Sequence, residues 1–330
     1  MKTHRFVTAL VLAGVLLPAG FAGAAVGADT APSIGDFNQQ TETEKFSKTV
    51  PLGKGGTFDL SNISGDIVIT GGPGDQVIIE AVKRGRSAEE LKAVTIEVTA
   101  TANRVDVRTR YPEGRRNIRV SVDYTVTVPR AAAVNVKSIS GDEKLSGLDG
   151  ELHANTISGS VSVTAASDVR SVEAISGDVH LTTAKSSGTL TVSSISGGVT
   201  LKDVKAGGIQ ISSISGDVKA EEIASNRVSA KSISGEIAFA GPLAKGGRYE
   251  LTSHSGDVKV YTSDKVGVEV SASTFSGDIT SDLALTMKAG GDAAPGRGGR
   301  MRQTVQGTFG DGSAVLQLSS FSGNIRIVKR

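Results

Sequence analysis

Apolar and polar residues alternate with a period of two along most of this chain, and the alternation restarts at regular intervals. In one stretch Val199 and Leu201 alternate with Gly198, Thr200 and Lys202. A Lys-Ala-Gly-Gly turn follows, and Ile209 and Ile211 then alternate with Gln210 and Ser212. Such alternation predicts two short strands per unit, each with one apolar face. Every unit closes on Ser-Gly preceded by Ile, Phe or His, at Gly65, Gly141, Gly159, Gly177, Gly197, Gly216, Gly235, Gly256, Gly277 and Gly323. From Gly141 to Gly277 the steps are 18, 18, 20, 19, 19, 21 and 21 residues. The gap from Gly65 to Gly141 is 76, four times nineteen, and that from Gly277 to Gly323 is 46, two steps plus a loop. A fixed period of this size predicts stacked repeats. Val, Ile, Thr, Ser and Gly dominate and no 3.6-residue stripe persists, so the expected fold class is all-β. It is a single-chain β-solenoid, β-helix-like, with about 19 residues and two short strands per coil. One short piece, Ser87 to Ala93, carries a helical pattern with Ser87 as its cap.

The recurring phrase predicts a corner. On this reading the inward parity slips by one at Ser212-Ser213, so that Ile214 turns inward as an apolar plug while Ser215 and Asp217 face out. Gly216 then stands where a side chain would collide with the neighbouring coil. Coils stacked at about 4.8 Å would place Ile139, Ile157, Ile175, Ile195, Ile214 and Ile233 in one buried column. A coil burying about four such side chains gains roughly 1.5–3 kcal/mol for each before entropy is subtracted, too little to stand alone.

The first 28 residues have a different pattern. Lys2 and Arg5 precede an apolar run from Phe6 to Leu17, and Val26-Gly27-Ala28 offers a cleavage site before Asp29. This is the layout of a secretory signal peptide, too short in its apolar part for a full span. Residues 29–45 are polar and are expected to be a disordered linker. Residues 46–136 carry the strand grammar loosely, as atypical N-terminal coils and a cap. Residues 137–330 form the regular Ser-Gly array, with a protruding loop at 289–303 and closure of the stack by 304–330.

Composition narrows the functional classes. The chain has no cysteine, so neither a disulfide nor a lipidated cysteine is expected. A net charge of +2, the absence of Trp and an aromatic content of 4% argue against nucleic acid as a partner. After processing, the protein is expected in the periplasm or outside the cell, without spanning the membrane.

The run VDYTVTVPRAAAVNVKSISGDEKLSGLDGELHANTISGSVSV, residues 122–163, resembles the bacterial β-strand-repeat domains of unknown function catalogued as putative adhesins. Those domains share strand pairs with a Gly-Asp-Val corner and a Thr-Val-Pro strand ahead of the array. The resemblance covers residues 46 to 330 and implies an exported strand-repeat solenoid. Related modules occur in envelope-stress proteins, and the resemblance carries over no catalytic residue.

Candidate chemistry is sparse. The serines before the corner glycines, among them Ser140, Ser176, Ser215 and Ser255, are interchangeable. A hydrolase needs one privileged serine beside a base, so an outward ladder serving corner hydrogen bonds explains them better. Asp142, Asp178, Asp217, Glu236, Asp257 and Asp278 fall in one outward column, interrupted by Ser160 and Gly198. Asp217, Glu236, Asp257 and Asp278 would then lie in consecutive coils, about 5 Å apart, as in a retaining glycosidase. Stacking gives that spacing to any column, and turn acids accepting backbone N–H groups are the simpler account. A Ca²⁺-bridged stripe on those four acids is the metal alternative; no other metal site and no cofactor is expected. His153 and His180 face outward at different points of the coil, and His254 replaces the corner isoleucine as a buried filler. Basic turns depart most from scaffold needs: Arg84 and Arg86, Arg115 and Arg116, and Arg297, Arg300 and Arg302. They suit an anionic lipid surface or glycan. The functional expectation is an exported non-enzymatic structural or binding module of the cell envelope, contacting a protein, a glycan or anionic lipid. The alternatives are a β-helix carbohydrate-active enzyme using the acid column, and an accessory domain in envelope-stress sensing.

Overall fold

The structure is a computed structural model that describes residues 41–112, 114, 118–263, 265–287 and 303–330. The leader at 1–28, the loop at 289–302 and Arg115, Arg116, Arg297, Arg300 and Arg302 lie outside the described residues. Of the polar linker, Glu42 to Lys45 already belong to the strand Glu42–Pro51.

Each regular coil contributes two strands, and strands of successive coils pair in parallel. Val218–Ser225 pairs with Ile237–Ala240 with Val218 opposite Ile237 and Ala220 opposite Phe239. Arg227–Ser234 pairs with Arg248–Ser255 with Val228 opposite Tyr249 and Ala230 opposite Leu251. Stacking like on like builds buried columns, one of which runs through Val161, Val179, Val199, Val218, Ile237, Val258 and Ile325. Inward side chains of both strand sets join a single core cluster. Two tyrosines enter it: Tyr124, whose hydroxyl lies 2.7 Å from Thr109 Oγ1, and Tyr249, which packs at 5.6 Å from the Phe239 ring and donates its hydroxyl to the Ser225 carbonyl at 2.8 Å.

Two bends return the chain on itself in the coils between Val161 and Ser225. One is a single left-handed residue, at Ala165, Thr183, Asp203 and Glu222 with φ between 51° and 55°. Side chains pay a small cost there, and the same residue resets the alternation, since Thr182 and Thr183 both face out before Ala184 turns in. The other bend is the Ser-Gly corner. Gly216 has φ +151°, and a Cβ on it would stand 2.2 Å from the Gly197 carbonyl oxygen.

The corner corrects the predicted parity. Alternation runs on unbroken through Ser212-Ser213: Ile211 and Ser213 are buried, and Ile214 is 46% exposed. The register shift occurs later, where Ile214, Ser215 and Asp217 all face solvent before Val218 turns in. Hence the predicted buried column of isoleucines is an exposed one. The physical reason is the space and polarity inside the bend. Ser194 and Ser253 each donate Oγ to the corner carbonyl of the preceding coil at 3.0 Å, Ser320 does so at 3.1 Å and Ser213 at 3.4 Å. An inward isoleucine would be bulkier and would bring no donor.

Both ends depart from the simple spacing. The strand Thr57–Ser64 pairs directly with Ala133–Ser140, so the glycines at 65 and 141 lie in adjacent coils, not four apart. The intervening chain forms a cap. Gln76–Gly85 runs antiparallel to Glu42–Pro51 and to Ser121–Pro129, and Thr95–Thr101 pairs antiparallel with Arg104–Arg110. The helix Ala88–Ala93 is capped by Ser87, which accepts from the Glu90 amide at 3.3 Å, as its sequence predicts. At the other end Ala314–Ser322 inserts between Arg248–Ser255 and Val268–Ser276. The last outer strand is covered by Gln303–Phe309 in antiparallel pairing, which removes an open edge. The predicted closure by 304–330 is therefore split: 303–309 covers the end, and 314–329 forms an inner coil. Among the described residues no helix is long and apolar enough to cross a membrane.

Candidate functional site

The outward isoleucines form a ladder. In order of stacking the rungs are Ile63, Ile139, Ile157, Ile175, Ile195, Ile214, Ile233, His254, Phe321 and Phe275. The isoleucines are between 37 and 52% exposed. His254 is the corner residue of its coil and, contrary to the sequence expectation, faces out, stacked on Phe321 at 4.9 Å; Phe275 stacks on the opposite face of Phe321, also at 4.9 Å. Nine steps of about 4.8 Å make the ladder about 43 Å long. Two shallow concavities of about 540 and 630 Å³ run along it, the first lined by Ile63, Ile139, Ile157, Ile175 and Ile195, the second by Ile214, Ile233, His254, Phe275 and Phe321. A contiguous apolar stripe with a polar border is the usual mark of an interaction surface. The sequence signal for it was the Ile-Ser-Gly phrase itself; only its direction was hidden.

Beside the ladder, two residues back in each coil, runs a parallel outward column. It reads Ser61, Lys137, Asn155, Glu173, Ser193, Ser212, Lys231, Thr252, Ser319 and Ser273. Two residues further back, the structure brings His153 together with two groups that the sequence pattern did not single out, Glu151 and Ser171. His153 Nδ1 lies 2.8 Å from Ser171 Oγ, and its Nε2 lies 2.9 Å from Glu151 Oε1. These three groups do not line either concavity on the ladder face.

The acid column has a structural use. Three of its carboxylates accept the amide of the equivalent residue in the next coil: Asp142 from Ser160 at 2.8 Å, Asp178 from Gly198 at 2.7 Å and Asp217 from Glu236 at 2.9 Å. Asn324 stands between Asp257 and Asp278, accepting from Asp278 and donating its amide to Asp257. The run of four acids in consecutive coils is thus interrupted, because the last coil inserts inside the stack. Glu236 is also paired with Lys259 at 2.6 Å, and that bond raises the Lys259 pKa. Among the described residues no three His, Asp or Glu side chains converge as a metal site would require.

The corner serines take part through their backbone. Gly197 donates its amide to the Ser215 carbonyl and Gly216 to that of Ser234, each at 3.0 Å. The side-chain bonds at the corner come instead, in four coils, from the inward serines three positions before the glycine, Ser194, Ser213, Ser253 and Ser320; the equivalent Ser138 and Ser232 hydroxyls make no such bond among the described residues. Of the basic turns, Arg84 is paired with Asp123, and Arg86 is exposed. Arg104, Arg108 and Arg110 pair with Asp59, Asp106 and Glu97.

Among curated proteins none matches the sequence. Solved structures similar to the chain include a putative adhesin from Bacteroides fragilis, 14% identical, covering 86% of this chain and 97% of its own, with a TM-score of 0.45. A putative adhesin from Parabacteroides merdae is 13% identical, with coverage of 87 and 97% and a TM-score of 0.42. A putative cell adhesion protein from Clostridium sporogenes is 12% identical, with coverage of 88 and 100% and a TM-score of 0.24. The family model of the Toastrack DUF4097 domains matches residues 57–328, which takes in both caps and every rung of the ladder, and the chain belongs to that family.

Proposed function

We propose that the chain is an exported, non-enzymatic binding module of the bacterial envelope, and that the isoleucine ladder is its contact surface. The observation that carries this reading is the outward direction of the rungs. Seven isoleucines and two phenylalanines that could have filled the core stand in solvent instead, aligned along one face. Exposed apolar residues scattered singly need no explanation, but a row of this length does. The near-identity of the coils supports a scaffold over an active site, since no copy of the corner is set apart. Export rests on the leader pattern at 1–28. The proposed partner is an envelope protein or glycan, with anionic polymer or lipid contact at Arg84 and Arg86, and at Arg115, Arg116, Arg297, Arg300 and Arg302.

Retention of the purified chain on envelope fractions tests the reading. Ile175→Lys and Ile214→Lys change outward side chains and should leave the thermal midpoint within a few degrees. They should reduce retention at least severalfold. Retention that is unchanged in both variants removes the ladder as the contact surface.

A further inference from the structure

We propose that the ladder face pairs with a second copy of this chain, the two stacks running antiparallel about a two-fold axis that lies in the interface and parallel to the strands. This deepens the reading that the ladder is a contact surface and rests on it.

Three observations favour a second copy over other occupants. The first is extent. The exposed portions of the seven isoleucines and two phenylalanines come to roughly 800 Å², about one partner's share of a standard-size interface. The second is period. Rungs repeat at the inter-coil spacing of about 4.8 Å over ten coils, and another copy presents the same repeat over the same length, so facing rungs stay in step along the whole face.

The third is charge. With ten rungs, the two-fold places the first coil opposite the tenth and the fifth opposite the sixth. A column beside the ladder then faces itself in reverse order. Ser193 meets Ser212 of the second copy at the axis, where small side chains allow close approach. One coil further out, Glu173 faces Lys231 of the second copy. In the next coil His153, in the column beyond, faces Glu250 of the second copy. Lys137 meets Ser319, and Asp59 meets Ser271. No like charges oppose each other in these columns. Two-fold symmetry makes every such pair occur twice.

Sedimentation of the purified full chain over a concentration series tests the proposal. A reversible dimer is expected. Ile195→Lys, facing Ile214 of the second copy beside the axis, should abolish it. Lys231→Glu sets two acids against each other at two places and should weaken association about tenfold, or about 1.4 kcal/mol. Adding Glu173→Lys should restore it to within about threefold. Lys231 also lies 3.5 Å from Glu250 of its own chain, so the thermal midpoint of each variant is measured too. Restoration by Glu173→Lys cannot arise from that internal pair.

A chain that stays monomeric up to about 200 µM overturns the proposal. So does a dimer indifferent to Lys231→Glu, or one that Glu173→Lys fails to restore. A monomer that takes up palmitate along the ladder, lost in Ile214→Lys, overturns it in favour of an acyl ligand and leaves the contact surface standing. A monomer whose envelope retention also ignores Ile214→Lys removes both.

Discussion

Glu143 is the residue least like its column. It pairs in register with Ile67 on one side and Val161 on the other, it is fully buried, and neither carboxyl oxygen has a hydrogen-bond partner among the described residues. Burial pushes its pKa up to about 8. A carboxyl raised above its unfolded value favours the folded state at low pH. The favourable contribution is full below the ordinary carboxylate range and is lost as pH rises toward 8, because the unfolded chain releases the proton first. The loss is of the order of 3–5 kcal/mol at most. Thermal midpoints of the native chain should therefore fall between pH 5 and pH 9. Glu143→Val should raise the midpoint at pH 9 and flatten that slope. A variant as pH-dependent as the native chain would show that the carboxyl is solvated or paired.

The element that matters most is the corner, and each of its residues can be argued separately. Gly216→Ala puts a Cβ 2.2 Å from the Gly197 carbonyl in a backbone region that favours glycine. It should cost several kcal/mol and appear as a drop of roughly 5–10 °C in thermal midpoint. Asp217→Ala removes only the acceptor for the Glu236 amide and should cost about 1 kcal/mol. Equal losses for the two would contradict the assignment of the collision to the glycine. Much of this element was legible in the sequence. The period, the two strands, the glycine collision and the outward aspartate all follow from alternation and spacing. The direction of Ile214 did not, because hydrophobicity alone favours burying the isoleucine and exposing the serine. What decides the matter is a carbonyl of another coil, which no local pattern reveals. The order of the final coils was hidden for a similar reason: any coil with the same corner can pair with any other, so spacing does not specify which lies outside. The Glu151-His153-Ser171 cluster was equally invisible, since Ser171 comes from the next coil.

At the scale of the whole molecule, stacking converts each residue choice into a line running the length of the protein. Inward valines become a core, acids become a strip of amide acceptors, and outward isoleucines become a surface about 43 Å long. The family to which the chain belongs shares the architecture, and the proposed role depends on which way those isoleucines point. The chain has no cysteine, so single thiols can report that direction without interference. The most direct test is the labelling rate of Ile214→Cys against Ser213→Cys, both in dilute protein, with a small thiol reagent. The account predicts rapid labelling at position 214 and protection at 213 until the chain unfolds. Protection at 214 with rapid labelling at 213 would return the isoleucines to the core and leave the molecule without the surface on which its proposed function depends.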